Sequence, residues 1–386
     1  MYFYIVIERG MAYNGIRISM SKKHWEGVTE KMKLAVIFGG ISSEHDISCL
    51  SAASILRNLD KSKYEIHAVG ITREGRWYYL PECDADAIES GAWESRNDLV
   101  PAMLPPDRSI HGLVLLREGE TEFVRLDCVF PVLHGEHSED GAIQGLLEMA
   151  GLAYVGCGVL ASAACMDKAV THTILEAAGI EMTPYTVLTR GALAHFDETE
   201  RMLAAKHGYP MFIKPANTGS SVGVGKAKDA GGLCAALSEA FRFDRKVIAE
   251  TAVVGDELEC AVLGNFDRAE ASCVGEIVPR HEFYDYSGKY LDDSTDLYIP
   301  ARISGEASER IRQTAVRAFA AMGCTGLSRV DFFLTREGRV VLNEINTLPG
   351  FTSISMYPKL FEAVGLPYPE LISRLIELAF EKHTDI

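Results

Sequence analysis

The sequence predicts a protein of the α/β and α+β classes, in which a parallel α/β domain precedes an α+β region built in two parts. Short apolar strands alternate with helical segments over residues 32–155, a small α+β unit follows over residues 156–245, and strands predominate over residues 246–386. Alternating strands and helices are typical of a parallel sheet covered by helices. A chain of 386 residues is long enough to form several such domains.

Composition and charge limit the partners that this chain can have. Its 47% hydrophobic and 24% charged residues are ordinary for a soluble globular protein. A net charge of -16 argues against nucleic acid or an anionic membrane as the main partner. The nine cysteines include no C-x-x-C pair, which favours reduced thiols in a cytoplasm. No apolar run reaches the length of a membrane span, so we expect a cytoplasmic protein with small-molecule ligands.

Residues 1–31 are predicted to be a tail that lies outside the folded domains. Their apolar start has no basic region ahead of it and no small-residue cleavage site, unlike a signal peptide. Met11, Met20 and Met32 are alternative starts, and "MKLAVIFGG" from Met32 reads like the opening of a domain. We expect the tail to be either disordered or an artefact of start-site choice.

The first domain begins with the strand "KLAVIFGG" and the helical segment "SSEHDISCLSAASILRNL"; the strands "YEIHAVGIT" and "LDCVFPVLHG" follow. Glu44, in the first helical turn, and His134, at the end of a strand, both fall at the carboxyl edge of the predicted sheet. Open α/β sheets bind ligands in the crevice at this edge. The alternative for Glu44 is ordinary compensation of the helix dipole. The Gly-Gly after the first strand lacks the G-x-G-x-x-G spacing of dinucleotide-binding sites.

The second part contains the glycine-rich stretch "KPANTGSSVGVGK", residues 214–226. Glycines let backbone N–H groups approach a phosphate closely, and the hydroxyls of Ser220 and Ser221 add donors. The alternative is a flexible hairpin turn. Lys168 and Lys214 stand in apolar surroundings, which suggests anion contacts, although each side chain can also extend to the surface.

Two further stretches have features of a nucleotide site. "AETAVVGDELE" contains Glu250 and Glu257, whose carboxylates can accept hydrogen bonds from an adenine amino group or ribose hydroxyls; the alternative is exposed acids around a turn. The segment 280–300, "RHEFYDYSGKYLDDSTDLYIP", is a long loop dense in aromatic residues, with Lys289 and Tyr290 beside a glycine. Loops of this kind are usually lids, and a lid excludes water from reactive intermediates.

The segment 329–350, "RVDFFLTREGRVVLNEINTLPG", is predicted to be a hairpin with charged residues on one face. With a two-residue turn at Glu337-Gly338, Asp331 lies opposite Glu344 and Arg329 opposite Asn346, all on the same face. Directly opposed carboxylates destabilise a sheet, whereas Mg²⁺ binds carboxylate and amide oxygens together with phosphates. The alternative is a surface face that Arg329 and Asn346 neutralise.

A nucleotide-dependent ligase requires all these features together. Such an enzyme needs a divalent metal, a glycine-rich phosphate loop, a water-excluding lid and a cation facing the developing negative charge. Arg329, on the metal face, is the candidate for that cation.

The motifs "GGISSEH", "HGEHSEDG", "CMDK", "FIKPANTGSSVGVGK", "FYDYSGKY", "SRVDFF" and "NEINTLPGFTSIS", in this order between about residues 33 and 383, resemble the D-alanine–D-alanine ligase family of the ATP-grasp superfamily. The resemblance implies a Rossmann-like N-terminal domain over 32–155 and an ATP-grasp fold divided into 156–245 and 246–386. It also implies a homodimer that phosphorylates one D-alanine with ATP and lets the amine of a second attack the acyl phosphate. The product, D-alanyl-D-alanine, would serve peptidoglycan synthesis.

Carried over residue by residue, the resemblance assigns roles to the motif residues. The ligands of two magnesium or manganese ions would be Asp331, Glu344 and Asn346. ATP would be held by Lys168, Lys214, Ser220, Ser221, Glu250, Val253, Glu257 and Lys289. Glu44, in a network with Ser220 and Tyr290, would bind the first D-alanine, and Ser355, Met356 and His134 would lie at the second. Arg329 and the backbone N–H of Gly350 would form the oxyanion site.

Two positions depart from the family pattern, and they leave alternatives open. Ser138 stands where the family motif H-G-x-x-G-E-D-G has a glycine, and Thr251 stands where many relatives have a larger or basic residue. The alternative functions are a relative that makes D-alanyl-D-serine or D-alanyl-D-lactate and, more distantly, a non-catalytic nucleotide-binding protein. Tyr290 and Met356 favour D-alanine, because D-lactate-forming relatives place a histidine and resistance-type relatives often an arginine at these positions.

Overall fold

The computed structural model describes residues 31–279, 295–352 and 354–384. Residues 1–30 of the predicted tail and the lid residues Lys289 and Tyr290 lie outside the described residues. The helices are α1 (His45–Asn58), α2 (Ala85–Glu89), α3 (Ala142–Ala150), α4 (Val159–Met166), α5 (Lys168–Ala177), α6 (Gly191–Ala194), α7 (Phe196–His207), α8 (Ala230–Phe243), α9 (Gly305–Ala321), α10 (Met356–Glu362) and α11 (Tyr368–Thr384). Within the described residues, no helix combines the length and apolar character needed to cross a bilayer.

The N-terminal domain is built on an eight-stranded sheet in the order β6-β5-β4-β3-β2-β1-β7-β8. Its strands are β1 (Met32–Gly39), β2 (Tyr64–Ile71), β3 (Trp77–Leu80), β4 (Val100–Met103), β5 (Gly112–Arg117), β6 (Glu120–Arg125), β7 (Cys128–Leu133) and β8 (Ala153–Tyr154). The central strand β1 is parallel to β2 and β7. Leu34 to Phe38 are fully buried because helices cover both faces of such a strand.

The prediction of a parallel sheet is confirmed for β2, β1, β7 and β8 and wrong for the other strands. Strands β3 to β6 add to the edge of β2 in antiparallel pairs. A short turn between Thr72 and Arg76 joins β2 to β3, and Glu118-Gly119, with Gly119 at φ +82°, joins β5 to β6. Tight turns of this kind connect antiparallel neighbours only, since parallel strands need a long crossover.

The following sheet has four antiparallel strands in the order β11-β10-β12-β9. They are β9 (Tyr185–Thr189), β10 (Met211–Pro215), β11 (Gly225–Ala227) and β12 (Lys246–Thr251). Leu203 of α7 and Leu237 of α8 join Met211 and Val247 in the core on one face of the sheet. The predicted division assigns residues from 246 to the C-terminal subdomain, but β12 pairs with β10 and β9.

The third sheet has five antiparallel strands in the order β15-β14-β13-β16-β17. They are β13 (Gly255–Asn265), β14 (Glu270–Pro279), β15 (Thr295–Tyr298), β16 (Thr325–Thr335) and β17 (Val340–Asn346). Ile311 and Phe319 of α9 pack with Val330 and Phe332 on one face. The C-terminal helices α10 and α11 share a core with β1 of the N-terminal domain, so they join the two parts of the protein.

Candidate active site

The hairpin β16–β17 places its charged residues as predicted, although its turn differs. Asp331 pairs with Glu344 and Arg329 with Asn346. The connection between the two strands is one residue longer than predicted, because Val340 pairs with Leu334. Gly338, within this connection, has φ +78°. The extra turn residue shifts the register by one, and a bulge at Asn343 shifts it back. The predicted two-residue turn is therefore wrong, while the predicted carboxylate pair is confirmed.

A third carboxylate extends this pair across the sheet. On β13, Glu259 lies directly opposite Asp331, so Glu259, Asp331 and Glu344 form a row across three neighbouring strands. Glu257 was identified from the sequence and Glu259 was not. The spacing of the two glutamates in "DELEC" indicates that both project from the same face, because residues two apart on a strand do so. We call these three residues the carboxylate row.

Arg329 pairs with Asp331, the middle residue of the carboxylate row. Its Nε donates to Asp331 Oδ1 at 2.8 Å, and a terminal guanidinium nitrogen donates to Asp331 Oδ2 at 2.7 Å. The same Nε lies 3.1 Å from Glu259 Oε2. Asn346 Nδ2 also donates to Asp331 Oδ2, at 3.0 Å. The side chains of Arg329, Asp331 and Glu259 are 12%, 13% and 6% exposed, so little solvent screens these charges.

The donor set at the hairpin fits a hard divalent cation. Asp331, Glu344 and Asn346 offer carboxylate and amide oxygens, the ligands that Mg²⁺ and Mn²⁺ prefer. Across the described residues, no three His, Cys, Asp or Glu side chains are already grouped as a metal site. In this conformation both oxygens of Asp331 accept hydrogen bonds from Arg329, so a cation at Asp331 would compete with Arg329 for the negative charge of the carboxylate.

The carboxylate row lines an open cleft between the four-stranded and five-stranded sheets. The structure brings most of the residues predicted to bind ATP to this same cleft: Lys168, Lys214, Ser220, Ser221, Glu250, Val253 and Glu257. Lys168 Nζ donates to the carbonyl oxygen of Thr218 at 2.6 Å. The lysine thus contacts the glycine-rich loop that would surround a phosphate.

Lys214 and Glu250 form a buried ion pair in the cleft. Lys214 Nζ lies 2.6 Å from Glu250 Oε2 and 3.3 Å from the Oδ1 of Asn343, the bulge residue. On the other side of Glu250, His172 Nε2 lies 2.9 Å from Oε1. Burial favours the protonated form of Glu250, but Lys214 and His172 outweigh it and lower the pKa of the carboxyl to about 2. Neither His172 nor Asn343 was identified from the sequence.

Glu44 connects the N-terminal domain to the glycine-rich loop. The hydroxyl of Ser220 donates to the Glu44 carboxylate, which is buried. Ser220 and Ser221 have φ +48° and +58°, values that L residues rarely adopt, so the loop is held in a restricted conformation. Ser42 fixes the backbone on the other side of Glu44: its Oγ accepts from the Glu44 N–H at 3.0 Å and donates to the His134 carbonyl at 2.7 Å.

His134 supports the segment that carries Gly350. Its Nδ1 lies 3.0 Å from the carbonyl oxygen of Leu348 and its Nε2 lies 3.3 Å from Ser51 Oγ. Ser51 in turn accepts a hydrogen bond from the Phe351 N–H at 3.2 Å. Burial lowers the pKa of His134, and the nearby Glu44 charge opposes this effect less strongly. His134 is therefore connected to the backbone on both sides of Gly350, directly at Leu348 and through Ser51 at Phe351.

Ser355 and Met356, predicted at the second amino-acid substrate, lie at the start of α10. Ser355 Oγ accepts from the Thr352 N–H at 3.0 Å and lies 2.8 Å from its Oγ1, and Met356 is buried. Glu139 was missed by the sequence analysis. Its Oε2 accepts from the Gly135 N–H at 2.9 Å, and burial, with the Glu44 charge, raises the pKa of Glu139 to about 8.

Two family models match this chain. The model of the D-ala D-ala ligase N-terminus matches residues 33–157, and the model of the D-ala D-ala ligase C-terminus matches residues 174–377. The chain belongs to the D-alanine–D-alanine ligase family. The family predicted from the motifs is thus confirmed, and so is the ATP-grasp fold that its structural neighbours share.

Individual ligases of the family match along nearly their whole length. A D-alanine–D-alanine ligase of Caldicellulosiruptor bescii is 47% identical over 355 residues, which cover 92% of this chain and 96% of that relative. Ligase A of Escherichia coli K12 is 45% identical over 361 residues, covering 92% and 97%. Among solved structures, the D-Ala:D-Ser ligase VanG of Enterococcus faecalis has a TM-score of 0.83 at 39% identity, covering 91% of this chain and 100% of VanG. The Coxiella burnetii D-alanine–D-alanine ligase has 0.81 at 37%, covering 92% and 96%.

The structure accommodates both departures from the ligase-family pattern. Of the neighbouring residues His137 and Ser138 in "HGEHSEDG", His137 has a positive φ, +63°, and Ser138 does not. Ser138 is buried and its carbonyl accepts from Gln144 Nε2 at 2.8 Å, so the position does not require the freedom of glycine. Thr251 Oγ1 lies 3.0 Å from His207 Nδ1, and this contact fixes the side chain at one end of the cleft.

Proposed function

We propose that this protein joins two D-alanine molecules with ATP, giving D-alanyl-D-alanine, ADP and phosphate for peptidoglycan synthesis. One observation supports this proposal most strongly. The carboxylate row, Lys168 and Lys214 all line one cleft, with Arg329 paired to Asp331 of the row, and the Glu44–Ser220 contact joins the N-terminal domain to the loop of the same cleft. Family membership agrees with the proposal.

ATP is held by two sets of groups that meet at the Lys214–Glu250 ion pair. Lys168, Lys214 and the glycine-rich loop with Ser220 and Ser221 face the phosphates, while Glu250, Val253 and Glu257 face adenine and ribose. Asp331, Glu344 and Asn346 would hold two magnesium or manganese ions, which when bound neutralise phosphate charge. Lys289 and Tyr290, outside the described residues, complete this set as lid residues.

The reaction proceeds in two steps. A carboxylate oxygen of the first D-alanine, whose ammonium pairs with Glu44, attacks the γ-phosphorus of ATP, and ADP leaves. The amine of the second D-alanine, after losing a proton, attacks the acyl carbon, and phosphate leaves. Arg329 and the Gly350 N–H stabilise the negative charge that develops on the carbonyl oxygen. Ser355 and the Met356 backbone receive the second carboxylate, near His134.

D-Serine is a second candidate for the attacking amino acid. The structural neighbour VanG is named a D-Ala:D-Ser ligase and covers 91% of this chain. One added hydroxyl is difficult for a pocket to reject, so some D-alanyl-D-serine is expected even from an enzyme that prefers D-alanine. We further propose that the protein acts in the cytoplasm as a homodimer, which the family supports and light scattering on the purified protein tests.

Phosphate release tests the proposed function. The purified protein is incubated with ATP, Mg²⁺ and D-alanine alone, or with D-alanine plus D-serine or D-lactate, and each product is identified by mass. Release that depends strictly on D-alanine, with D-alanyl-D-alanine as main product, is the expected result. ATP hydrolysis independent of D-alanine, or D-alanyl-D-lactate as main product at neutral pH, contradicts the proposal.

A further inference from the structure

The contacts of Asp331 conflict with its proposed role as a metal ligand. Both its oxygens accept hydrogen bonds from Arg329, at 2.8 and 2.7 Å. A carboxylate that shares its negative charge with a divalent cation holds a guanidinium less strongly. A largely buried guanidinium that loses its carboxylate is strongly destabilised. Arg329 therefore needs a second anionic partner when Asp331 binds the metal.

Glu259 has the position that this second partner requires. Its Oε2 lies 3.1 Å from Arg329 Nε, the same nitrogen that donates to Asp331 Oδ1, so both carboxylates lie within ion-pair distance of one nitrogen. Glu259 is buried, with 4% of the residue exposed, and its charge is poorly screened. In this conformation the Glu259 Oε2 accepts no hydrogen bond from the described residues, so it can accept the Nε–H of Arg329 when Asp331 releases it, without a large movement of the guanidinium.

The sheet places Asp331 between Glu259 and Glu344. Glu259 lies opposite Asp331 on one side, and Glu344 lies opposite Asp331 on the other. Two strand spacings therefore separate Glu259 from Glu344, roughly 10 Å along the row. A cation held between Asp331 and Glu344 lies on the far side of Asp331 from Glu259. This geometry favours a role for Glu259 towards Arg329 and not towards the metal.

We propose that Glu259 is a positioning residue that retains Arg329 when Asp331 binds the metal, an inference that rests on the proposed function. Glu259 keeps the cation where negative charge develops and leaves Asp331 available as a ligand. Without the Glu259 charge, Arg329 competes with the metal for Asp331. Metal affinity then falls together with the rate.

The experiment measures the affinity of Mn²⁺ for the full-length protein saturated with a non-hydrolysable ATP analogue, by electron paramagnetic resonance of the free ion. Glu259→Gln keeps the shape of the side chain and removes its charge, and it should weaken Mn²⁺ binding by about 10- to 100-fold, the range typical of residues that orient metal ligands. The matched control is Glu276→Gln, because Glu276 is a buried glutamate of the same sheet that pairs with an arginine, the half-exposed Arg302. Glu276 pairs with Leu258, so it projects from the opposite face, and Mn²⁺ affinity should not change.

The same Mn²⁺ measurement in an Arg329→Ala variant distinguishes retention of Arg329 by Glu259 from a general effect of losing one negative charge. In Arg329→Ala no guanidinium competes for Asp331, so adding Glu259→Gln should change Mn²⁺ affinity by less than about threefold, compared with the 10- to 100-fold loss expected in the wild type. Equal losses in both backgrounds, or no loss in the wild-type background, overturn the proposal. If Glu259→Gln does not fold, Glu259→Asp replaces it, since the shorter side chain withdraws the charge from Arg329; unchanged Mn²⁺ affinity then overturns the proposal.

The readouts also separate this inference from the proposed function. Phosphate release by the wild-type protein that does not depend on D-alanine contradicts the function but leaves the Mn²⁺ comparison interpretable. D-Alanine-dependent release by the wild type, with unchanged Mn²⁺ affinity in Glu259→Gln, contradicts the inference alone.

Discussion

Glu44 and Ser220 are 176 residues apart in the chain, and the hydroxyl of Ser220 donates a hydrogen bond to the carboxylate of Glu44. The contact joins the loop after the first strand to the glycine-rich loop of the nucleotide cleft. Because the carboxylate is buried, the hydroxyl contributes to its stability in a place where water has little access. The proposed anchor of the first substrate is thus held by the loop that we propose binds ATP.

Ser220→Ala should impair use of D-alanine more than binding of ATP. Hydrogen bonds to charged groups contribute about 1.5–3 kcal/mol, so kcat/KM for D-alanine should fall roughly 10- to 100-fold. Steady-state kinetics with each substrate varied in turn check this. The comparison variant is Ser221→Ala, at the neighbouring position in the same loop, which should mainly raise KM for ATP. The same KM profile in both variants would show that Glu44 does not depend on Ser220.

Glu344→Gln should abolish turnover while the protein remains folded. The substitution removes one charge from the Asp331–Glu344 pair, which we propose binds the metal, and keeps the side-chain shape. D-Alanine-dependent phosphate release at saturating Mg²⁺ measures the loss, and the melting temperature shows whether the fold survives. Near-normal turnover at saturating Mg²⁺ would contradict the metal role of Glu344.

Glu250→Gln should destabilise the protein at neutral pH and change how stability depends on pH. The pKa of Glu250 is lowered from its ordinary value of 4.5 to about 2 in the folded protein. The charge of Glu250 therefore stabilises the fold fully at pH values above about 4.5. That stabilisation is lost progressively as the pH falls from about 4.5 towards 2. Removing the charge leaves Lys214 buried without this partner, and about 3–5 kcal/mol should be lost at pH 7.

Urea unfolding of the wild type and Glu250→Gln from pH 7 down to the lowest pH at which both remain folded measures this difference. The gap in unfolding free energy should narrow below about pH 4.5. Glu176→Gln, an exposed acid on α5, is the control and should leave the unfolding free energy nearly unchanged. A gap that stays constant at all pH values would show that the Glu250 charge does not stabilise the fold.

A chain that starts at Met32 should fold and turn over like the full-length protein. The sequence of residues 1–31 lacks the apolar periodicity of a core element. Melting temperature and D-alanine-dependent phosphate release of the two chains provide the comparison. A large decrease in either would show that the first 31 residues pack against the fold.

The sequence was most informative where the pattern was local. Asp331 and Glu344 could be paired because one turn joins their strands and side chains alternate between the faces. Glu259 could not be placed opposite Asp331 from the sequence, because β13 and β16 are separated in the chain by the strands β14 and β15 and the helix α9. The same limit applies to Glu44 and Ser220, whose contact was implied only by the resemblance to the ligase family.

The antiparallel strands of the first sheet show a second limit. Strands β3 and β4 have only four residues each, too few for a clear alternation, and nothing local indicated that they extend the edge of β2. The bulge at Asn343 was also hidden, because an apolar strand with one additional residue looks regular when read along the chain. Pairing partners, which only the fold supplies, show which residue is the additional one.

The bulge at Asn343 adds a polar contact with Lys214 that is independent of the Asp331–Glu344 pairing. Counting along β17, a chain without Asn343 would still bring Glu344 opposite Asp331, because Phe332 already pairs with Leu342 on the turn side of the bulge. Asn343 is therefore dispensable for the carboxylate pair, and its amide is free to face Lys214. A single inserted residue adds a polar group beside the lysine without altering the spacing of the acids, so the two can vary independently during evolution.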